Sequence, residues 1–446
     1  MKLHNWTHAF LCNCFLASLQ ILNACASEPV SFRSEVAPIF LKNCVACHSA
    51  KKAEGGYRLD TFAELLKAGD SGIAPIVQSV GATHELLRRL TVADETERMP
   101  AESEALTADQ VDKITKWIAE GAKFDGGDPN VVLPFVIPPP RHPDPPNSYP
   151  TTIPITAIVF SPDGTQVLTS GYYEILVWNL ADGNLVRRIK NVGERVFAIT
   201  FSFDATMVAV ACGTPGRSGE VRLIDFASGE VKAVIARSTD VNLDIAFRPG
   251  TRELAVASAD SSIRIVNVDT LEVGRMLTSH ADWVTAIAWS DDGSRLVSAS
   301  RDKSAKVFDA STGELLVSYQ GHNAAVRGIT VLPDGTQILS SGSDGKLHRW
   351  QSTDAKKMAE VNLGGEGFHL KRGDGWILVP CAGGQLLKID VVKDSVVQDL
   401  KGHQDWVLST DYSAMQSRIA SGAFNGELRI WNSVDGTLVN SWLAKP

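Results

Sequence analysis

The sequence predicts a multidomain chain in which a small all-α domain precedes a much larger all-β repeat domain. Three observations carry that expectation. Residues 30–124 hold helix-start patterns followed by apolar stripes of helical period. Residues 125–154 are a linker in which ten of the twenty prolines fall between Pro129 and Pro154. From Ile155 to Leu443 the chain repeats with a period near 40, a spacing typical of stacked repeat architectures. At 446 residues there is room for two or three domains.

The first 26 residues read as a secretory signal. Lys2 supplies the positive start, Ala9 to Leu22 a mostly apolar core, and Ala24-Cys25-Ala26 a small-residue cleavage site. A second reading cuts before Cys25 and leaves a lipid anchor there, although Asn23 fits that motif poorly. On either reading the mature chain is exported, to the periplasm or another extracytoplasmic space. The formal charge of −8 argues against nucleic acid as a partner. After the signal no apolar run is long enough to span a bilayer.

In the small domain (27–124), Ser31 is placed to cap a helix that carries Phe32, Val36, Ile39 and Phe40 on one face. Thr61 and Glu64 form a capping-box pattern opening Phe62–Lys67, Thr83 is placed to cap Glu85–Leu90, and Thr107 with Gln110 opens a last helix. That helix turns Val111, Ile114, Trp117 and Ile118 inward and stops at Gly121. Between the first two helices stands Cys44-Val45-Ala46-Cys47-His48, the C-x-x-C-H spacing of c-type haem attachment. Two thiols at this spacing bond to one edge of the porphyrin, and the histidine then meets the iron. A redox dithiol would want a βαβ context, and a zinc site further Cys or His ligands; neither is nearby. One covalent haem c is therefore expected, on Cys44, Cys47 and His48. Two residues compete for the sixth iron position. Met99, in the loop Glu97-Arg98-Met99-Pro100, offers a soft thioether and has no packing reason to sit in a polar loop. His84 is the domain's other histidine and would give a bis-histidine iron. Met99 is preferred.

The same stretch resembles the planctomycete-type cytochrome c domain. The resemblance rests on Val36-Ala37-Pro38-Ile39-Phe40, Asn43 to His48, Gly55-Gly56-Tyr57-Arg58-Leu59-Asp60, Gly69-Asp70-Ser71-Gly72, Arg98-Met99-Pro100 and the closing helix from Leu106 to Ala122. It implies single-haem electron transfer with Met99 as sixth ligand.

Turn phrases such as Ser161-Pro162-Asp163-Gly164, Ser290-Asp291-Asp292-Gly293 and Leu332-Pro333-Asp334-Gly335 recur at one phase of the repeat. Seven strand endings follow suit, from Val177-Trp178-Asn179 to Ile430-Trp431-Asn432. Residues 155–446 thus resemble the WD-repeat family, which implies a seven-bladed β-propeller. The fourth strand of the last unit, Gly436–Leu443, is already present, so closure by a borrowed N-terminal strand is not expected. The family's buried His–Ser/Thr–Asp–Trp tetrad is complete once, as His322, Ser340, Asp344 and Trp350. His280, Ser298 and Asp302 lack the tryptophan, with Phe308 in its place; His403, Ser421 and Trp431 have Asn425 where Asp is expected. These histidines are read as structural. His348 and His369 are left without a role, too scattered for a metal or second haem site. Cys212 and Cys381 fall in apolar strands of different units and are read as buried free thiols.

The functional expectation is an electron carrier whose propeller docks a protein partner, its redox partners unidentified, rather than a catalyst. The alternative is an oxidoreductase whose propeller binds a second redox cofactor or substrate. The linker can act as an extended spacer or lie along the second domain, and a fragment starting near Tyr149 is expected to fold without haem.

Overall fold

The computed structural model describes residues 28–77, 83–101, 103–139 and 141–446. The expected signal segment and Cys25 lie outside them. Two compact units result, one ending at Asn130 and the other running from Val131 to Pro446.

In the first unit, Ser31 starts the first helical stretch among the described residues: its Oγ accepts the Ser34 N–H at 3.2 Å and donates to Asp125 Oδ2 at 2.6 Å. Phe32–Val36 winds as a π-helix and runs directly into α1, Ala37–Asn43. Phe32, Val36, Ile39 and Phe40 are all buried, as their spacing predicts. The Phe32 ring is the hub of the core, 5.0 Å from Phe62, 5.2 Å from Trp117 and 5.6 Å from Phe124. Among the described residues the unit also has a short 3-10 turn, Glu54–Gly56, and three further α-helices: α2 (Phe62–Leu65), α3 (Glu85–Thr91) and α4 (Ala108–Ala119).

The caps differ from one another. At α4 the capping box is complete, Thr107 Oγ1 accepting from Gln110 N–H and Gln110 Oε1 from Thr107 N–H, a cap that contributes about 1 kcal/mol. At α2 only half forms. Thr61 Oγ1 accepts the Glu64 N–H, but the Glu64 carboxylate turns to Lys67 Nζ at 2.7 Å, and the helix stops at Leu65 rather than Lys67. Thr83 does not cap α3. His84 occupies the cap position and makes no capping bond, because its Nδ1 accepts the Val77 N–H at 3.2 Å instead.

The second unit is β-rich, with six separate sheets. Five have four strands, and one has seven because a single long strand, Leu185–Phe201, is shared. Its first part pairs with Tyr172–Asn179 and its last part with Met207–Thr214. Divided there, the seven-stranded sheet holds two four-stranded units, so that the described residues carry seven in sequence. The last strand, Leu438–Leu443, pairs within its own unit.

A four-stranded sheet of short strands cannot bury both faces alone, and the units solve this by packing on their neighbours. Ala236 O accepts from Asn242 Nδ2, Asp244 Oδ2 from Ile287 N–H, Val326 O from Thr285 Oγ1, and Phe368 O from Ser341 Oγ. The same kind of bond joins the last unit to the first: Asp411 Oδ2 accepts the Phe160 N–H at 2.7 Å, and Ala423 O the Ile155 N–H at 3.1 Å. Ile158, Phe160 and Leu176 of the first unit share one apolar cluster with Ala420, Leu428 and Ile430 of the last. Cys212 and Cys381 are buried and unpaired, as read from the sequence.

The histidines read as structural are so. His322 Nδ1 meets Asp344 Oδ2 at 2.9 Å, its Nε2 meets Ser340 Oγ at 2.9 Å, and Trp350 Nε1–H donates to the same hydroxyl at 3.1 Å. His280 bonds Asp302 and Ser298 without an indole donor. For His403 the expectation of Asn425 needs correction. Its Nδ1 meets Glu427 Oε2 at 2.9 Å, because the longer side chain two residues on reaches back into the missing carboxylate position.

From Val131 the proline-rich stretch lies against the β-rich unit. Leu133–Val136 forms one helical turn (α5), with Leu133 and Val136 buried and Phe135 on the cluster that includes Ala233 and Ile235. Further along, His142 Nε2 meets Glu220 Oε1 at 2.6 Å, and Tyr149 Oη donates to Glu174 Oε1 at 2.5 Å. A fragment starting at Tyr149 therefore discards buried apolar surface. It should unfold with roughly 3 kcal/mol less stability than one starting at Val131, a difference that urea titration of the two fragments measures.

Candidate functional site

Helix α1 ends where the C-x-x-C-H loop begins. The Cys44 and Val45 N–H groups are the last to find the helix, both donating to Phe40 O, at 2.9 and 3.1 Å; the Cys47 and His48 N–H groups then close a tight turn on Cys44 O at 3.1 and 3.0 Å. The turn puts two thiols and an imidazole within five residues. The chain folds back at once, and Leu59 N–H donates to His48 O at 3.0 Å. The returning segment also holds the imidazole, since His48 Nδ1 lies 3.2 Å from Tyr57 O. A carbonyl can only accept, so Nδ1 carries the proton and Nε2 keeps the lone pair that a metal needs. The Tyr57 ring packs edge-on against the imidazole at 5.5 Å, and its hydroxyl donates to Leu65 O. Burial raises the Tyr57 phenol above its ordinary range.

A cavity of about 320 Å³ opens beside this turn, within the usual range of roughly 300–1,000 Å³ for small-ligand sites. Cys44, His48 and Met99 all line it. Met99 comes from the loop between α3 and α4, and its N–H donates to Arg89 O at 2.8 Å, which ties the loop to the end of α3. Cys47 is half-buried but not part of the cavity wall, with its Sγ 3.9 Å from Lys52 Nζ. His84 is also absent from the wall, its ring being occupied with the Val77 N–H. His369, left without a role by the sequence, lies in the other unit with its Nδ1 3.9 Å from Asp244 Oδ2.

Both cysteines are free thiols. Burial, aided by the neighbouring Cys47, pushes the Cys44 thiol up to about 12, so it is protonated at neutral pH. Glu85 lines the cavity too. A hydrogen bond from Arg88 leads in holding it down to about 2 against the cost of burial, with Arg89 adding to it, so this ionised wall carboxylate is neutralised. Sequence reading did not single out Glu85, whose spacing of three and four residues from two arginines on α3 was the available signal.

The glycine-rich phrases shape the wall. Asp70 N–H donates to Gly55 O at 2.8 Å, which joins the two loops. Gly56 has φ +64°, and a Cβ there would stand 2.1 Å from Asp70 Oδ1. Only glycine fits that contact in that backbone conformation.

A small helical unit in which a C-x-x-C-H loop and a methionine line one cavity, followed by repeated four-stranded sheets, defines a class: a cytochrome c domain joined to a repeat β domain. The Planctomycete cytochrome C family matches residues 44–103, and the WD domain, G-beta repeat family matches residues 272–309, 313–351 and 394–432. The chain therefore carries a planctomycete-type cytochrome c domain and WD repeats. The WD matches support a propeller. No curated protein matches the chain. Among solved structures, the crystal structure of the computationally designed Ika8 protein is similar, with a TM-score of 0.53 and 21% identity over 66% of this chain and 88% of that one. At that identity the likeness is one of fold alone. No helix among the described residues is long and apolar enough to cross a membrane.

The Gly56 contact can be tested directly. Gly56→Ala should destabilise the first unit by about 1–3 kcal/mol, through the strained backbone and the displaced Asp70. Thermal unfolding of the isolated residues 28–130 reads the loss, with Gly72→Ala, which has open space around it, as the milder comparison.

Proposed function

We propose that this protein is an exported single-haem c-type cytochrome that transfers electrons, and that its β-rich unit is a seven-bladed propeller serving as the docking module. The observation that carries the first half is the convergence of Cys44, His48 and Met99 on one cavity, with the His48 proton committed to Tyr57 O. The residues fit the cofactor: free thiols at attachment spacing, a lone pair on His48 Nε2, and a thioether in the same wall. Cys44 and Cys47 would hold haem covalently, and His48 and Met99 would bind its iron. Haem so held supplies a one-electron couple, which a Met/His pair places higher than two nitrogen ligands would. The protein's own contribution is positional. Tyr57 O orients the imidazole, Arg89 O anchors the Met99 loop, and the buried apolar wall limits water.

The docking reading is supported by the bonds that tie the seventh unit back to the first, which suit a closed ring, and by the WD matches. A rigid ring presents loops on a broad face, well suited to a standard-size protein interface. Export rests on the signal pattern in residues 1–26 and on the cytochrome c domain itself, with Cys25 a candidate lipid anchor if cleavage falls before it.

Absorbance of the purified protein, oxidised and reduced, should show one c-type haem per chain; a second chromophore would favour the oxidoreductase reading instead. Met99→Ala should keep haem attached, lower the reduction potential and open the sixth position to added imidazole. His84→Ala should leave the potential unchanged. A redox titration showing the reverse pattern would assign the sixth ligand to His84.

A further inference from the structure

We propose that Arg89 binds a propionate of the haem, an assignment that rests on the haem reading given above. Haem carries two anionic propionates, and the cavity offers them little to pair with. Three carboxylates line it, those of Glu54, Asp70 and Glu85, and Arg89 is the one guanidinium or ammonium among its wall residues. Glu85, Leu86, Arg89 and Leu90 fall on one face of α3, and all four line the cavity. Arg89 still keeps 37% of its side chain exposed, which places its head at the cavity mouth. Two other donors of the wall are taken, Tyr57 Oη by Leu65 O and His48 Nδ1 by Tyr57 O.

The guanidinium can be spared for this role. Arg88 alone grips the Glu85 carboxylate with two N–H groups, Nε on Oε2 at 2.7 Å and Nη2 on Oε1 at 2.8 Å. Arg89 adds one bond, from Nε to Oε1 at 2.8 Å, and its Nη1 reaches Glu97 O only at 3.4 Å. Arg89 Nη2 has no hydrogen-bond partner among the described residues. Glu54 has its own cation as well, Lys52 Nζ at 2.7 Å, from outside the wall. An arginine whose outer nitrogens are so loosely held presents the planar fork that a carboxylate matches with two parallel bonds. The backbone of the same residue already serves the site, since Arg89 O accepts the Met99 N–H.

Arg98 is the competing cation. Its Nε is buried without a partner, but Arg98 is not part of the cavity wall, and its outer nitrogens turn to Glu95 Oε1 at 3.6 Å and Ser103 O at 3.5 Å. Pairing with Arg89 has a redox consequence. A cation in contact with a carboxyl holds it about 1–3 pH units below its ordinary value, so the propionate stays ionised through the neutral range. Its titration then does not enter the reduction potential there.

The test uses the haem-loaded full-length chain, with its reduction potential measured against pH. The potential of the unaltered protein should be level across the neutral range. Arg89→Gln should lower it, because a positive charge beside the iron is lost. The same variant should move the propionate titration up by about one pH unit or more. The potential then falls as pH rises through that titration, since an ionised propionate favours ferric iron. Arg89→Lys, which keeps the charge without the fork, should restore most of the level profile. Met99 keeps its anchor in each variant, because the anchor is the Arg89 carbonyl. The double variant Arg89→Gln with Glu85→Gln separates the two carboxylates. The pH dependence should persist in it, and its disappearance would assign the titration to Glu85 and overturn the proposal. A level, unshifted profile in Arg89→Gln, or the same pH dependence in Arg98→Gln, would overturn it as well. A chain without haem absorbance would instead overturn the reading on which it rests.

Discussion

The backbone carbonyl of Tyr57 decides which nitrogen of His48 faces the cavity. A free imidazole can offer either nitrogen and can rotate about its side-chain bonds. Here the returning chain accepts the Nδ1 proton while Leu59 N–H binds the His48 carbonyl two residues further on. Side chain and backbone of the same residue are thus clamped by one short segment. Much of the wall follows from that clamp. Tyr57 packs on the imidazole, Gly55 O receives Asp70, and the loop carrying Asp70 closes over the cavity only because Gly56 has no side chain. The part of the wall that holds Met99 is built separately, by Arg89 O accepting the Met99 N–H near the end of α3.

The β-rich unit obeys a different constraint. Each sheet has two apolar faces and too few strands to cover either. Stacking covers them, and the carboxylates of Asp244 and Asp411 show how the stacking is registered. Each accepts a backbone N–H from a strand in another unit, Ile287 and Phe160 respectively. Burial raises the Asp244 carboxyl above its ordinary range, partly offset by His369 and by the Ile287 and Ile245 N–H groups. A buried acid that also sets register leaves little freedom for sliding. In the proposed ring such a base gives variable loops a fixed frame.

Much of this was legible before any coordinates, where the signal is local. Capping at Thr107 needs only Gln110 three residues later, and the buried face of α1 needs only the period of its apolar residues. Local rules failed where another partner competed. The cap expected of Thr83 falls to His84, whose ring accepts the Val77 N–H instead, and Glu64 abandons its box for Lys67. Asn425 looked like a defective tetrad because the compensating Glu427 lies two positions away, where no spacing rule looks.

The sequence by itself determined the chemistry on offer: two thiols and a histidine at attachment spacing, a methionine in a polar loop, and a β repeat of fixed period. Those are properties of residue type and short spacing, which survive in any conformation. Tertiary structure alone decided that Cys44, His48 and Met99 share a cavity while His84 does not, since residues fifty positions apart are brought together only by packing. It alone laid the proline-rich stretch along the β-rich unit, because polyproline geometry fixes the stiffness of a segment but not the surface it meets. Cross-strand pairing, too, set His348 opposite Glu360, a meeting governed by register rather than by distance along the chain.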